Sequence, residues 1–276
     1  MKTNNTNKHL FKTMLFFRNA VYAVLYYIDL NVLQKKTPLI ILCYHSISDG
    51  KWRFGVNFKE FKRQIEYLNK SYHFITLDEL FDYLALKKKI PKPAVVLTFD
   101  DGYKDNLQIK DFLKEMSIKP TLFVLSTPGA ANRQELNSNS PFLSQNDIFK
   151  LTAEGWTIGC HSNTHSDLLK LSATQLNNEI VDAKKKLQTE LVLPIDYFSY
   201  PKGKYSQKII ALVKKAGYKL AVSMDDTFIT KQTNPLTLPR IGVDRTHSFS
   251  QFKATISPSA ILFRHYVKKT FLAKYL

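Results

Sequence analysis

From residue 38 onward the chain alternates short apolar runs with stretches whose apolar positions recur every three or four residues, the pattern of buried strands between amphipathic helices. The runs "PLIILCYH" (38–45), "AVVLTFD" (94–100), "TLFVL" (121–125), "WTIGCH" (156–161), "YFSYP" (197–201) and "KLAVSMD" (219–225) predict strands. Helical patterns fill the gaps, and several carry start and stop signals. Asn57 precedes "FKEFKRQIEYLN", and Thr76 with Glu79 forms a capping box ahead of "LFDYLAL". "NLQIKDFLKEM" (106–116) predicts a further helix, Ser144 and Ser172 begin others, and Gly155 and Gly217 end them. Residues 127–146, "TPGAANRQELNSNSPFLSQN", have no usable period and predict a lid, a binding loop or a surface insertion.

Strands alternating with helices imply a parallel sheet, open or closed. The polar residues favour closure. His45, Asp100 with Asp101, His161, Pro201, and Asp225 with Asp226 stand at the C-terminal ends of separate strands, which converge on one face only in a barrel. An open doubly wound sheet would gather such groups near one switch point. The expected fold is therefore α/β, an irregular TIM-like (β/α) barrel over residues 37–250. An N-terminal helical extension (1–36) and a basic helical tail (251–276) flank it.

Composition, 44% hydrophobic and 23% charged, excludes a disordered or fibrous chain. The net charge of +17 points to an anionic partner, although the lysines are scattered over helix ends and exposed faces as on any solvated surface. No zinc-finger, basic-zipper or RNA-binding signature is present, so no nucleic-acid partner is expected. Two cysteines, Cys43 and Cys160, sit inside apolar runs and make no disulfide framework. Residues 9–33 are rich in Leu, Phe, Tyr and Val, but Lys12, Arg18 and Asp29 interrupt them, leaving too short a run for an ordinary membrane span. They predict an interfacial helix or poor signal anchor against an anionic membrane, or a helix packed on the domain. The first reading places the protein at a bacterial-type cell envelope or on the cytoplasmic membrane face.

Two adjacent acids at the end of a buried strand oppose each other's ionisation. A cation beside Asp100 and Asp101 removes that repulsion. "HSNTH" (161–165) supplies two histidines four residues apart. With one aspartate they make the His₂-carboxylate set that binds a divalent metal and leaves positions for water and substrate. The other aspartate is then placed to take a proton from that water.

"TFDDG" (98–102), "HSNTH" (161–165) and "FSYPKG" (198–203) resemble, in order and spacing, the first three motifs of the polysaccharide deacetylases with a NodB homology domain, carbohydrate esterase family 4. The likeness runs over about residues 38–245 and is greatest to the branch acting on exopolysaccharides such as poly-N-acetylglucosamine. The resemblance implies a NodB-type barrel that hydrolyses N-acetyl groups of amino sugars in a polysaccharide or lipid-linked saccharide. By position, Asp100 would be the base. Asp101, His161 and His165 would be ligands of Zn²⁺, Co²⁺ or Ni²⁺. The third motif, Tyr200, Pro201 and Lys202, would give an oxyanion donor in the Lys202 N–H, and Tyr103 would flank the site. Two departures stand out. Ser199 replaces the arginine that begins the third motif in many members, and Arg240 of "LPRIGV" is the candidate to return that charge, with Asp225 or Asp226. The last motif's acid histidine has no clear match, leaving His45, His247 and His265 as candidates. A non-catalytic carbohydrate-binding protein and a metal-dependent phosphatase are the rival readings.

Overall fold

The computed structural model describes residues 17–33, 39–131, 136, 140–268 and 270. Among them the strands are β1 (Leu39–Tyr44), β2 (Ser46–Ile47), β3 (Gly55–Val56), β4 (His73–Phe74), β5 (Ala94–Phe99), β6 (Thr121–Val124), β7 (Thr157–Cys160), β8 (Tyr197–Ser199), β9 (Leu220–Val222) and β10 (Ile241–Gly242). The main sheet is parallel throughout, in the order β10-β1-β5-β6-β7-β8-β9, with β4 beside the first half of β5. Its two edges are joined by one short segment: Leu238 bridges Val222 of β9, and Ile241 pairs with Leu42 of β1. The sheet thereby curls into an irregular barrel, with all its strands ending on one face.

Side chains alternate across each strand, so one parity points into the barrel and the other toward the helices. Leu39 and Ile41, Ala94 and Val96, Phe123, Tyr197, Leu220 and Val222, and Leu238 form the buried interior. Leu77, Leu80 and Tyr83 of the helix Leu77–Leu84 join that cluster and close the end where the strands begin. Ile40, Leu42 and Tyr44 with Val95, Leu97 and Phe99 form the outer core under the remaining helices. Gly159 of β7 faces inward, where a Cβ would stand 2.5 Å from the Phe123 ring, so only glycine lets Phe123 fill the barrel.

The expected caps form at Asn57, Thr76, Ser144 and Ser172. The stretch expected to be one helix over 106–116 is instead a 3-10 turn, Lys104–Ile109, followed by the helix Lys110–Glu115. Asp105 explains the tight start. Its carboxylate accepts from Ser46 Oγ at 2.6 Å, Ser140 Oγ at 2.7 Å and the Ile47 N–H at 3.2 Å, tying the turn to β2 and to the loop after β6. The helix beginning after Ser172 contains a π turn, Asn178–Asp182, before continuing as Ala183–Leu191. Residues 132–135 and 137–139 of the aperiodic loop lie outside the described residues.

A helix over 17–28, continued by a π turn Asp29–Leu33, packs on the C-terminal helices Phe249–Thr255 and Pro258–Val267. Tyr22 is buried there with Ala254 and Ala260. Ser257 begins the last helix without a side-chain cap, and Asp29 supplies one from outside, accepting from the Ser259 N–H at 2.9 Å and Oγ at 2.6 Å. The opposite face of the N-terminal helix exposes Phe17, Val24 and Tyr27. No helix among the described residues is long and apolar enough to cross a membrane. Residues 1–16, 34–36, 269 and 271–276, parts of the expected N-terminal segment and tail, lie outside them.

Candidate active site

The inward parity that packs the barrel continues past the strand ends and becomes polar. Thr98 and Asp100 follow Ala94 and Val96, Cys43 and His45 follow Leu39 and Ile41, His161 follows Gly159, Ser199 follows Tyr197, and Arg240 follows Leu238. These side chains meet at the mouth of the ring.

Asp100 is buried and held by Arg240, which is 1% exposed: Nη1 donates to Oδ1 at 2.7 Å and Nη2 to Oδ2 at 2.6 Å. Such a bidentate pair is short and charge-assisted. The Ser199 hydroxyl accepts from Arg240 Nη2 at 2.9 Å and donates to Asp100 Oδ2 at 3.2 Å. Thr98 Oγ1 and the Ser223 carbonyl accept the remaining Arg240 contacts. Burial alone would raise the Asp100 carboxyl, but the charges of Arg240 and His161 hold it well below the usual carboxylate range. Arg240 is thus raised by the same carboxylate against its own burial.

Asp101 and Gly102 follow with φ of 71° and 74°. A Cβ on Gly102 would lie 3.0 Å from Val124 Cγ1, so both backbone sign and space call for glycine. The turn carries the Asp101 carboxylate toward the histidines. Asp101 Oδ1 lies 3.4 Å from His161 Nε2 and 3.7 Å from His165 Nε2. Two ligand atoms ~2.0–2.1 Å from one ion at tetrahedral angles stand roughly 3.3 Å apart, so the spacing fits a divalent cation. The donor set fits as well. Both Asp101 oxygens are buried without a hydrogen-bond partner, and His161 Nδ1 lies 2.8 Å from the Ser199 carbonyl, which leaves Nε2 to face the cluster. Burial, then the neighbouring His161, lowers His165 to about 4, so its imidazole is neutral and able to ligate.

The HSNTH loop is fixed by a residue that sequence reasoning missed. Glu179, buried on the π turn, accepts from the Asn163 N–H at 3.0 Å, the Thr164 N–H at 2.9 Å and Thr164 Oγ1 at 2.6 Å. Ser162 Oγ accepts from the His165 N–H at 3.1 Å, and His165 takes φ of 62°. Nothing in the pattern of a surface helix marks one glutamate for this task; the π turn that aims it is visible only in three dimensions.

A cavity of about 420 Å³ opens above these groups, with His45, Trp52, Phe54 and Leu136 on one side and Tyr200, Lys202 and Met224 on the other. His45, Asp100, Asp101, His161, His165, Tyr200, Lys202 and Arg240 therefore meet at one place. His45 packs against Trp52 and Phe54, which also touch each other, with its Nδ1 buried and unpartnered, and burial lowers its basicity. Other expected members go elsewhere. Tyr103 is fully buried, stacked on Phe142 and set edge-on to Trp52, so it backs the aromatic wall without lining the cavity. Pro201 is buried in a 3-10 turn, and the Tyr200 hydroxyl is spent on the Leu236 carbonyl. Asp225 accepts from Tyr205 and Ser223, and Asp226 pairs with Arg264 and Lys268, so neither serves Arg240. His247 lies in an adjoining cavity, and His265 is on the last helix against Tyr266.

A buried carboxylate beside a His₂-carboxylate cluster, at the strand ends of a parallel barrel, is an arrangement suited to hydrolysis. The comparisons narrow the class. Residues 87–221 match the polysaccharide deacetylase family. The chain is 29% identical over 225 residues to YxkH of Bacillus subtilis, described as a polysaccharide deacetylase, covering 81% of this chain and 77% of that one. It is 27% identical over 203 residues to the poly-beta-1,6-N-acetyl-D-glucosamine N-deacetylase of Staphylococcus aureus, covering 68% and 67%. The solved Streptococcus pyogenes deacetylase PplD, in complex with acetate, shares the fold with a TM-score of 0.70 and 24% identity over 81% of this chain and all of that one. Over this span the chain is similar to the polysaccharide deacetylases and, with them, a hydrolase of carbon–nitrogen bonds other than peptide bonds.

Two outcomes test this geometry. Arg240→Met leaves Asp100 buried without its counter-ion and lowers stability by about 3–5 kcal/mol in urea unfolding, most of which Asp100→Asn restores in the double variant. Burial holds His247 neutral with a pKa of about 4, while its unfolded form titrates near 6.5. The unfolded state binds more protons between those values, so this contribution to stability is whole above about 6.5 and lost as pH falls to 4. His247→Gln removes on the order of 3 kcal/mol of that loss, read as a flatter dependence of unfolding free energy on pH.

Proposed function

We propose that the chain hydrolyses N-acetyl groups from amino sugars of an exopolysaccharide or lipid-linked saccharide with the help of a bound divalent cation, zinc first and cobalt or nickel as substitutes. The observation that carries the reading is the pairing of an arginine-held carboxylate, Asp100, with the orphaned Asp101 oxygens between two histidines, at the floor of one cavity. The match to a relative named for a β-1,6-linked N-acetylglucosamine polymer supports the sugar class. Bound by Asp101, His161 and His165, the cation supplies a Lewis acid and lowers the pKa of water.

The protein's own groups do the rest. Asp100 accepts the proton of the attacking water, whose oxygen bonds to the acetamide carbon. The Lys202 backbone N–H is assigned to the developing oxyanion. His45, buried in the cavity wall with Asp100 and Asp101 nearby, is assigned to protonate the leaving amine as the carbon–nitrogen bond breaks; acetate and a free amino sugar result. Trp52 and Phe54 offer flat faces on which a sugar ring can stack.

The same reading extends to location. The exposed face of the 17–28 helix, with the chain's net positive charge, suits the surface of an anionic membrane at the cell envelope.

Acetate release from N-acetylglucosamine oligomers is expected with zinc or cobalt, to vanish on chelation, and to fall at least about a thousandfold in Asp100→Asn. Metal binding without any acetate release would instead favour a carbohydrate-binding protein, and aryl-phosphate hydrolysis surviving Asp101→Ala a phosphatase. Sedimentation with anionic vesicles, weakened by Val24→Ser with Tyr27→Ser, is the expected result for location; equal recovery with neutral vesicles or none rejects it.

A further inference from the structure

A second cavity, of about 240 Å³, adjoins the first and shares His45, Phe54 and Met224 with it. Its far wall is built from four cationic side chains, Arg18, Arg53, Arg264 and Lys268, against two carboxylates, Asp226 and Asp244. The carboxylates are already engaged. Asp226 accepts from Arg264 Nε at 3.0 Å and Nη2 at 2.9 Å and lies 3.1 Å from Lys268 Nζ, while Asp244 accepts from Arg53 Nε at 3.0 Å. Arg264 is 5% exposed, and its third nitrogen, Nη1, is buried with no carboxylate or carbonyl to receive it. The Thr255 hydroxyl, on the same wall, is buried and unpartnered, and the Tyr22 hydroxyl turns to Arg264.

A purely structural ion network would balance its charge and satisfy its donors, because a buried guanidinium nitrogen without an acceptor is costly. This one leaves Thr255 Oγ1 and Arg264 Nη1 buried with no carboxylate or carbonyl between them. We propose that the second cavity holds a compact anionic group, phosphate or carboxylate, carried by the saccharide beside the residue bound in the active site; the substrate is then an anionic glycan or a sugar on a phosphate-bearing carrier. The assignment rests on the deacetylase reading for its saccharide and on the cavity alone for its charge. Arg264 Nη1 and the Thr255 hydroxyl grip the anion, and Arg53 and Lys268, half exposed at the rim, draw it in.

Binding of glucose 1-phosphate, glucuronate and glucose, measured by calorimetry on the full chain, tests this without turnover, since none carries an acetyl group. At least one of the two anionic sugars is expected to bind about tenfold or more tightly than glucose. That advantage should be lost in Arg264→Gln and, should that variant fail to fold, in Arg53→Gln with Lys268→Gln. A preference for glucose 1-phosphate assigns a phosphoryl group and a preference for glucuronate a uronic acid. Equal binding of all three sugars, or an advantage untouched in the folded variants, overturns the proposal even while acetate is released. An intact advantage with no acetate release under any metal overturns the deacetylase reading instead.

Discussion

The pairing of Asp100 with Arg240 is the constraint around which the barrel is arranged. An ionised carboxylate at the end of an interior strand is untenable without a counter-charge, and no residue near it in sequence provides one. Arg240 arrives 140 positions later, on the short segment that joins β9 to β1. Closing the ring and neutralising Asp100 are therefore one event. Because a guanidinium meets both oxygens in a fixed fork, it also fixes the carboxylate's plane. Asp101 is thereby left with no protein partner of its own except the two histidines that approach it.

The departure at Ser199 becomes intelligible in the same terms. Where many relatives place a long cation, this chain places a small hydroxyl that bridges Arg240 and Asp100. The cation comes from the neighbouring part of the ring and needs that room. Charge near the base is retained while the element supplying it changes.

Much of the site was legible because its residues lie in contiguous motifs whose spacing follows strand ends: Asp100, Asp101, His161 and His165 stand where the chain pattern put them. Arg240 was legible too as the charge returned beside Asp100, although the aspartates expected with it, Asp225 or Asp226, pair elsewhere. It shares the parity of Leu238, which packs inside the barrel, and that parity excluded pairing with Asp225 or Asp226, which lie past the end of β9. Tyr103 looked like a site residue by adjacency to TFDDG, but the turn at Asp101 and Gly102 sends it under Trp52. Trp52, Phe54 and Met224 carry no motif, and β10 is two residues long, too short for any period to register. His45 and His247 were equivalent on paper. Only the fold put His45 beside Asp100 and His247 in the adjoining cavity.

The π turn at Asn178–Asp182 adds a different kind of dependence. Such a turn is a single extra residue absorbed into a helix, and the helix gains backbone regularity by losing it. Removing one position there would rewind the bulge as regular α-helix and shift Glu179, which lies within it, off the loop it clamps, while every motif residue stayed in place. A relative with all four motif acids and histidines intact, but one residue shorter in this helix, would thus carry the right letters with a slack HSNTH loop. Helix length at this point, and not motif content alone, decides how firmly the HSNTH loop is held.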